Sequence, residues 1–330
     1  MTRGTFDRRQ VSAGLAAAMA APFAGGLIGV TPARAQRYGG TWSSLANLSE
    51  EATRLGLSVP RMGLAPSSAS EDFNEVQPAI VDFMDSVSAS APDARGVTST
   101  DVDSLLDRAS ELLRTARNAE RAPRDIPEGP QATAITAPQF DAIKDDYNKL
   151  FASCEIKADK RSEVMWYVSK ITDPTRRKAY EQVFDETCVP WYFVAIIHGM
   201  ECGFDMQSHL HNGDPLKKKT VQVPKGRPAQ WLPPSDWVSS AVDALRYDKL
   251  DEKPEWTLAH MLYRWEAYNG WRSRLLYKIN TPYLWSFSNQ YTKGKFVADN
   301  VWDANAVSKQ CGAAVMLKGL VESGAVAPPA

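Results

Sequence analysis

Residues 189–204, Val-Pro-Trp-Tyr-Phe-Val-Ala-Ile-Ile-His-Gly-Met-Glu-Cys-Gly-Phe, constrain this chain more than any other stretch. They are apolar nearly all round, so a helix here has no face to offer water and belongs at the centre of a domain. Pro190 suits its first turn, and Gly203 suits its end, where a left-handed residue is often needed. One ionisable carboxyl, Glu201, stands at the end of the run. Burying a carboxylate costs on the order of several kcal/mol unless it is paired or protonated. Either Glu201 has a structural partner, such as an internal Arg or Lys, or its proton is put to use. Desolvation and the negative end of the helix dipole both favour the protonated form.

The 330 residues divide by composition. Residues 1–35 carry Arg8-Arg9, a modest apolar stretch and an Ala-Arg-Ala site, which reads as a cleaved export signal of twin-arginine type. Residues 36–137 form an N-terminal helical region and linker. Up to about residue 70 they are rich in Ser, Gly and Pro with little periodicity. Helical spacing follows over 71–87 and 101–121, the second with Val102, Leu105, Leu106, Ala109, Leu112 and Leu113 on one stripe and Thr100 as cap. The three prolines of 122–137 break the pattern. From residue 138 to 322 lies the main domain, which holds nine of the ten tryptophans and all histidines and cysteines; 323–330 is a tail. Helices are predicted over 138–154, over 160–187 with a break near Pro174, and over 235–247, 255–271 and 303–323. The alternating Lys-Thr-Val-Gln-Val of 219–223, between turn signals, predicts a small hairpin or sheet beside the central helix. The segment 281–297 reads as an aromatic-rich loop. The fold class is therefore α+β, mainly helical.

Removal of residues 1–35 takes away four of the 38 Lys/Arg and one of the 39 Asp/Glu, leaving an excess of four acids. Such a balance does not favour nucleic acid as a partner. No later span is long and apolar enough for stable membrane insertion after signal cleavage. Export implies a periplasmic or secreted protein, in which Cys154, Cys188, Cys202 and Cys311 could form one or two disulfides. No C-x-x-C or H-E-x-x-H occurs. His198, Glu201 and His209-x-His211 could bind zinc, but neither a metal nor a cofactor is expected.

A helix-end carboxylic acid is what glycosidic bond cleavage requires, because the leaving oxygen needs a proton as the bond breaks. Residues 265–271, Trp-Glu-Ala-Tyr-Asn-Gly-Trp, offer the Tyr268 phenol and the Asn269 amide to position acid and substrate. Tyr283, Trp285, Phe287 and Tyr291 could stack on sugars or fill the core. His209, His211 and Asn212 are candidates for lining a sugar cleft. A second carboxylate would favour direct hydrolysis, and Asp214 and Asp205 are the candidates. Plain turn chemistry in Asn212-Gly213-Asp214-Pro215 is the competing account of Asp214.

Taken together, these stretches resemble the lysozyme-like superfamily, above all bacterial secreted lysozyme-family proteins and lytic transglycosylases, over about residues 140–322. The likeness rests on 189–216, 219–228, 265–271, 281–299 and 305–314, in that order along the chain. It implies a lysozyme-like domain and a peptidoglycan glycosidase cleaving the β-1,4 bond between N-acetylmuramic acid and N-acetylglucosamine. Peptidoglycan glycan strands are the partner it implies. Glu201 matches the catalytic acid, with Cys202 where the family usually has Ser. Tyr268 and Asn269 match the Tyr-Asn motif. Asp214 and Thr220 are reminiscent of the acid–threonine pair of phage-type lysozymes. The Gly-Leu-Met-Gln stretch common in lytic transglycosylases is missing, so the choice between hydrolase and transglycosylase stays open. Alternatives are a non-catalytic wall-binding protein and a chitinase- or chitosanase-like enzyme.

Overall fold

The computed structural model describes residues 38–62, 73–94, 96–121, 135–231, 236–298 and 301–329. The expected export signal and most of the expected linker lie outside the described residues. The described residues fall into two compact units, one within 38–119 and the other from Glu120 onward.

In the first unit, α1 (Gly39–Arg54) packs on α2 (Phe73–Ser90). Sequence reading found little periodicity over α1. Its stripe is Thr41, Leu45, Leu48 and Ala52, all buried, and polar Ser, Thr and Gly residues dilute the signal. Helix α3 (Ser99–Arg121) buries Leu105, Leu106, Ala109 and Leu113 as its spacing predicts. Its cap is Thr98 rather than Thr100. The Thr98 hydroxyl accepts from Asp101 N at 3.1 Å and the Asp101 carboxylate accepts from Thr98 N at 3.0 Å, a reciprocal capping box.

The second unit is built around α7 (Trp191–Cys202), in which Phe193 through Met200 are all buried. Helices α5 (Arg161–Thr172), α6 (Pro174–Thr187) and α12 (Ala313–Glu322) pack against it. Phe193 also stacks on Trp265 of α9 (Leu258–Asn269), ring centroids 4.9 Å apart. Each fully buried large apolar side chain here contributes roughly 1.5–3 kcal/mol, which answers the all-round hydropathy of the stretch. Helix α4 (Phe140–Ala152) lies on α9, and α8 (Trp237–Tyr247) on α6. Short helices α10 (Arg272–Leu275) and α11 (Pro282–Trp285) follow α9. Asp173 ends α5 and caps α6 by accepting from Arg176 N at 3.0 Å, with Pro174 in the first turn. Pro190 sits at the N-cap of α7, one residue earlier than its sequence position suggested.

The unit is mainly helical with a small antiparallel sheet, but the strands are not where they were expected. Strand β1 (Lys295–Ala298) pairs with β2 (Val301–Asp303), within the stretch read as aromatic loop and the start of the expected closing helix. Phe296 and Trp302 face each other across the ladder, and such aromatic cross-strand pairs stabilise a hairpin. Residues 219–223, expected as strand, are irregular. Their backbone donors are taken elsewhere: Val221 N and Gln222 N both donate to the Asp214 carboxylate, at 2.7 and 2.8 Å. Pro224 and Pro228, which have no N–H, cannot continue a ladder.

Candidate functional site

The C-terminal end of α7 is held from three directions. Gly203 is left-handed (φ 64°) and Phe204 follows with φ 66°. The Phe204 ring folds back over Gly199, where a methyl group would lie 2.5 Å from it, and the Phe204 carbonyl accepts from Arg176 Nε at 3.2 Å. The buried Cys202 thiol points to the His209 carbonyl, 3.4 Å away. Glu201 is thereby fixed on a rigid helix end. It is half-buried, not sealed in. The Tyr283 hydroxyl, on α11, donates to Glu201 Oε1 at 2.8 Å.

The loop after α7 is stitched by the residues that sequence reading placed in the cleft. His209 bonds Ser240 Oγ at 2.6 Å and the Lys218 carbonyl at 2.7 Å, which uses both ring nitrogens. Burial lowers its pKa. His211 Nε2 lies 2.7 Å from the Asp243 carboxylate, which also receives the Arg227 guanidinium. Asn212 bridges to Asp214 in both directions, at 2.9 and 3.1 Å. The Thr220 hydroxyl donates to the Pro224 carbonyl and accepts from Arg227 N. Asp214 is 3% exposed and one of its oxygens accepts from two backbone amides and Asn212. Asp205, equally buried, accepts from Gln207 N and Ser208 Oγ. His209, His211, Thr220, Asp205 and Asp214 thus form the framework of the loop. His198 is likewise enclosed between the Tyr180 hydroxyl and the Asp205 carbonyl. Among the described residues no group of His, Cys, Asp and Glu could hold a metal ion.

Asn269 donates to Thr281 Oγ1 at 3.1 Å, and the same oxygen accepts from Tyr283 N at 3.3 Å. The end of α9 is therefore tied to the short helix that carries the phenol on Glu201. Tyr268 does not share this arrangement: its hydroxyl donates to Asp248 at 2.9 Å. Tyr291 is buried with its hydroxyl between the Gly294 and Ala306 carbonyls and Ser308 N, and burial pushes its pKa up to about 12. Trp285 and Phe287 are core residues, 0% and 3% exposed.

The chain matches no family model, no curated protein and no solved structure. Its chemistry therefore rests on the geometry of its own side chains.

The carboxylate clamped by an internal arginine is Glu266, which sequence reading passed over. It is 0% exposed, ion-paired with Arg274 Nη2 at 3.0 Å, and accepts from the Tyr147 hydroxyl at 2.6 Å. The signal was present: Glu266 sits between Trp265 and Ala267 on a helix, with Arg274 eight residues on. All four cysteines are free thiols, three of them buried, contrary to the expected disulfides. The export argument that motivated those disulfides does not by itself bring any pair within bonding geometry.

Proposed function

We propose that this protein is a peptidoglycan glycosidase of the lytic transglycosylase type, with a lysozyme-like second unit and Glu201 as its single general acid and base. The observation that carries the reading is the half-buried Glu201 carboxyl, fixed at a rigid helix end and oriented by the Tyr283 hydroxyl. Peptidoglycan is named as the substrate on the resemblance of residues 189–216, 265–271 and 281–299 to the lysozyme-like superfamily, and the role of Glu201 on its geometry.

The expected second carboxylates favour one route over the other. Direct hydrolysis needs a group that activates water across the sugar ring. Asp205 and Asp214 are buried and engaged by loop donors. Closure by the substrate itself requires no such group. Glu201 gives its proton to the glycosidic oxygen as the bond from that oxygen to C1 of N-acetylmuramic acid breaks. The 6-hydroxyl of the same sugar then attacks C1 and passes its proton to the Glu201 carboxylate. The products are a 1,6-anhydro end and a free 4-hydroxyl, no water is consumed, and the acid is regenerated.

Purified sacculi incubated with the protein are expected to release muropeptides with 1,6-anhydro ends, read by mass. Glu201→Gln keeps the shape and removes the acid, and should lower release by roughly 10²- to 10⁴-fold. Reducing ends in place of anhydro ends would replace the transglycosylase with a hydrolase. Release by the Gln variant at the parent rate would remove Glu201 from the chemistry.

A further inference from the structure

The Asp214-centred loop carries a surface that the chemistry at Glu201 does not use. Its interior is fully engaged: Asp214, Thr220, His209 and the Arg227–Asp243 pair fix its course. Its outside is a run of exposed residues, Lys217, Lys218, Lys219, Val221, Gln222, Val223 and Lys225. Lys219 donates to the Ala229 carbonyl at 2.6 Å. Lys218 and Lys225 make no ion pair with any described residue, although the chain as a whole carries one more acid than base. Four cations within nine residues, on a loop whose backbone is held rather than loose, form a concentrated positive edge. The edge is joined to the end of α7: Cys202 meets the His209 carbonyl, and Gly213 lies beside the Glu201 carbonyl. Fixed charge costs less side-chain and loop ordering on binding than charge on a flexible segment.

We propose that residues 217–225 are a docking edge for the carboxylate-rich stem peptides of intact peptidoglycan, so that the protein prefers peptide-bearing strands to bare glycan. The charges are complementary, since stem peptides present several carboxylates per repeat beside the glycan. This inference rests on the wall-glycan reading of the Glu201 site, and deepens it by naming the form of substrate selected.

The test uses full-length protein in the Glu201→Gln background, so that turnover does not erode the target. Co-sedimentation compares sacculi bearing stem peptides, amidase-stripped glycan strands coupled to beads, and phosphatidylglycerol vesicles. Lys218→Glu combined with Lys225→Glu is expected to weaken binding to peptide-bearing sacculi roughly tenfold at low salt. The difference should shrink at about 0.5 M salt, where exposed charges are screened. Both proteins should bind the bead-coupled stripped strands equally. Equal binding to peptide-bearing sacculi, or equal weakening on both kinds of wall, would overturn the proposal. Weakening confined to vesicles would assign the edge to a membrane surface instead. Muropeptide release by the unsubstituted chain is measured separately. Charge-dependent wall binding without release leaves the docking edge standing and removes the catalytic reading.

Discussion

Tyr283 and Glu201 are 82 residues apart in the chain, yet the phenol of one donates to the carboxyl of the other at 2.8 Å. Two devices hold this relation. Gly203 and Phe204 stop α7 at the right residue, and Thr281 caps the short helix bearing Tyr283 while receiving Asn269. Tyr283→Phe removes the donor and leaves the ring, which is 7% exposed, in its packing. A hydrogen bond between neutral groups contributes about 0.5–1.5 kcal/mol, so turnover on sacculi should fall roughly 2- to 10-fold. KM should stay within about twofold if the phenol positions the acid rather than the sugar. A parent-like rate would show that Glu201 needs no phenol to orient it.

Much of the fold was legible because burial and backbone chemistry are local signals. The all-round apolar run of α7, the Asp173-Pro174 break and Gly203 each name their own structure. The β region was misplaced because alternation over 219–223 competes with Asp214, whose carboxylate folds back from the preceding turn and takes the amides a strand would need. In the site, Glu201 was visible as a carboxyl at the end of a buried run. Its partner was not, since nothing local ties Tyr283 rather than Tyr268 to it. The polar residues of 205–220 looked like ligands because polar side chains rarely go inside unpaired. The partners of His209 and His211, Ser240 and Asp243, lie 31 and 32 residues further along the chain.

Glu266 and Arg274 form a buried ion pair beside the Asn269 end of α9. Removing one partner leaves an uncompensated buried charge, which costs about 3–5 kcal/mol. Arg274→Met is therefore expected to lower the denaturation midpoint strongly. Arg274→Met combined with Glu266→Leu should recover much of the loss, because neither charge is then stranded. Urea unfolding of the two variants checks this. Equal losses would mean that the pair is not the source of the stability.

His209 gives the loop a pH dependence of known sign. Burial lowers its pKa below the ordinary 6.5, so the unfolded chain takes up a proton more readily than the folded one. Its contribution is complete above pH about 6.5 and is lost as pH falls from there through the lowered folded value. His260, whose pKa burial also lowers, adds in the same direction. The melting temperature should drop between pH 7.5 and pH 5 (conditions chosen to span about 6.5), with a slope of at most about 1.4 kcal/mol per pH unit from His209. His209→Gln should flatten that slope while the His260 part persists. An unchanged slope would rule His209 out as its source.

Thiol counting distinguishes free cysteines from disulfides directly. Cys188 is exposed at the end of α6, while Cys154, Cys202 and Cys311 are buried. Burial raises the pKa of Cys154 and of Cys311, which further suppresses their thiolates. An aromatic disulfide reagent should label one thiol in the native protein and four after denaturation without reductant. Two thiols after denaturation would mean that a bridge forms in the isolated protein.

Gly312 joins packing to function through one close approach. It precedes α12, and its φ of −75° is open to any residue, so space rather than backbone angle demands glycine. A methyl group there would fall onto the Leu284 carbonyl and lie 2.7 Å from Trp285 N, both backbone atoms that cannot turn aside. Gly312 N also donates to the Ser286 carbonyl at 3.1 Å, which fixes α12 against α11. Gly312→Ala must therefore push α11 away from α12, at a cost of about 1–3 kcal/mol. Because Tyr283 rides on α11, the displacement should also lengthen its bond to Glu201. Turnover should then fall at temperatures where the variant is still fully folded by circular dichroism. A variant that loses stability but keeps full turnover would show that the phenol–carboxyl contact tolerates movement of α11.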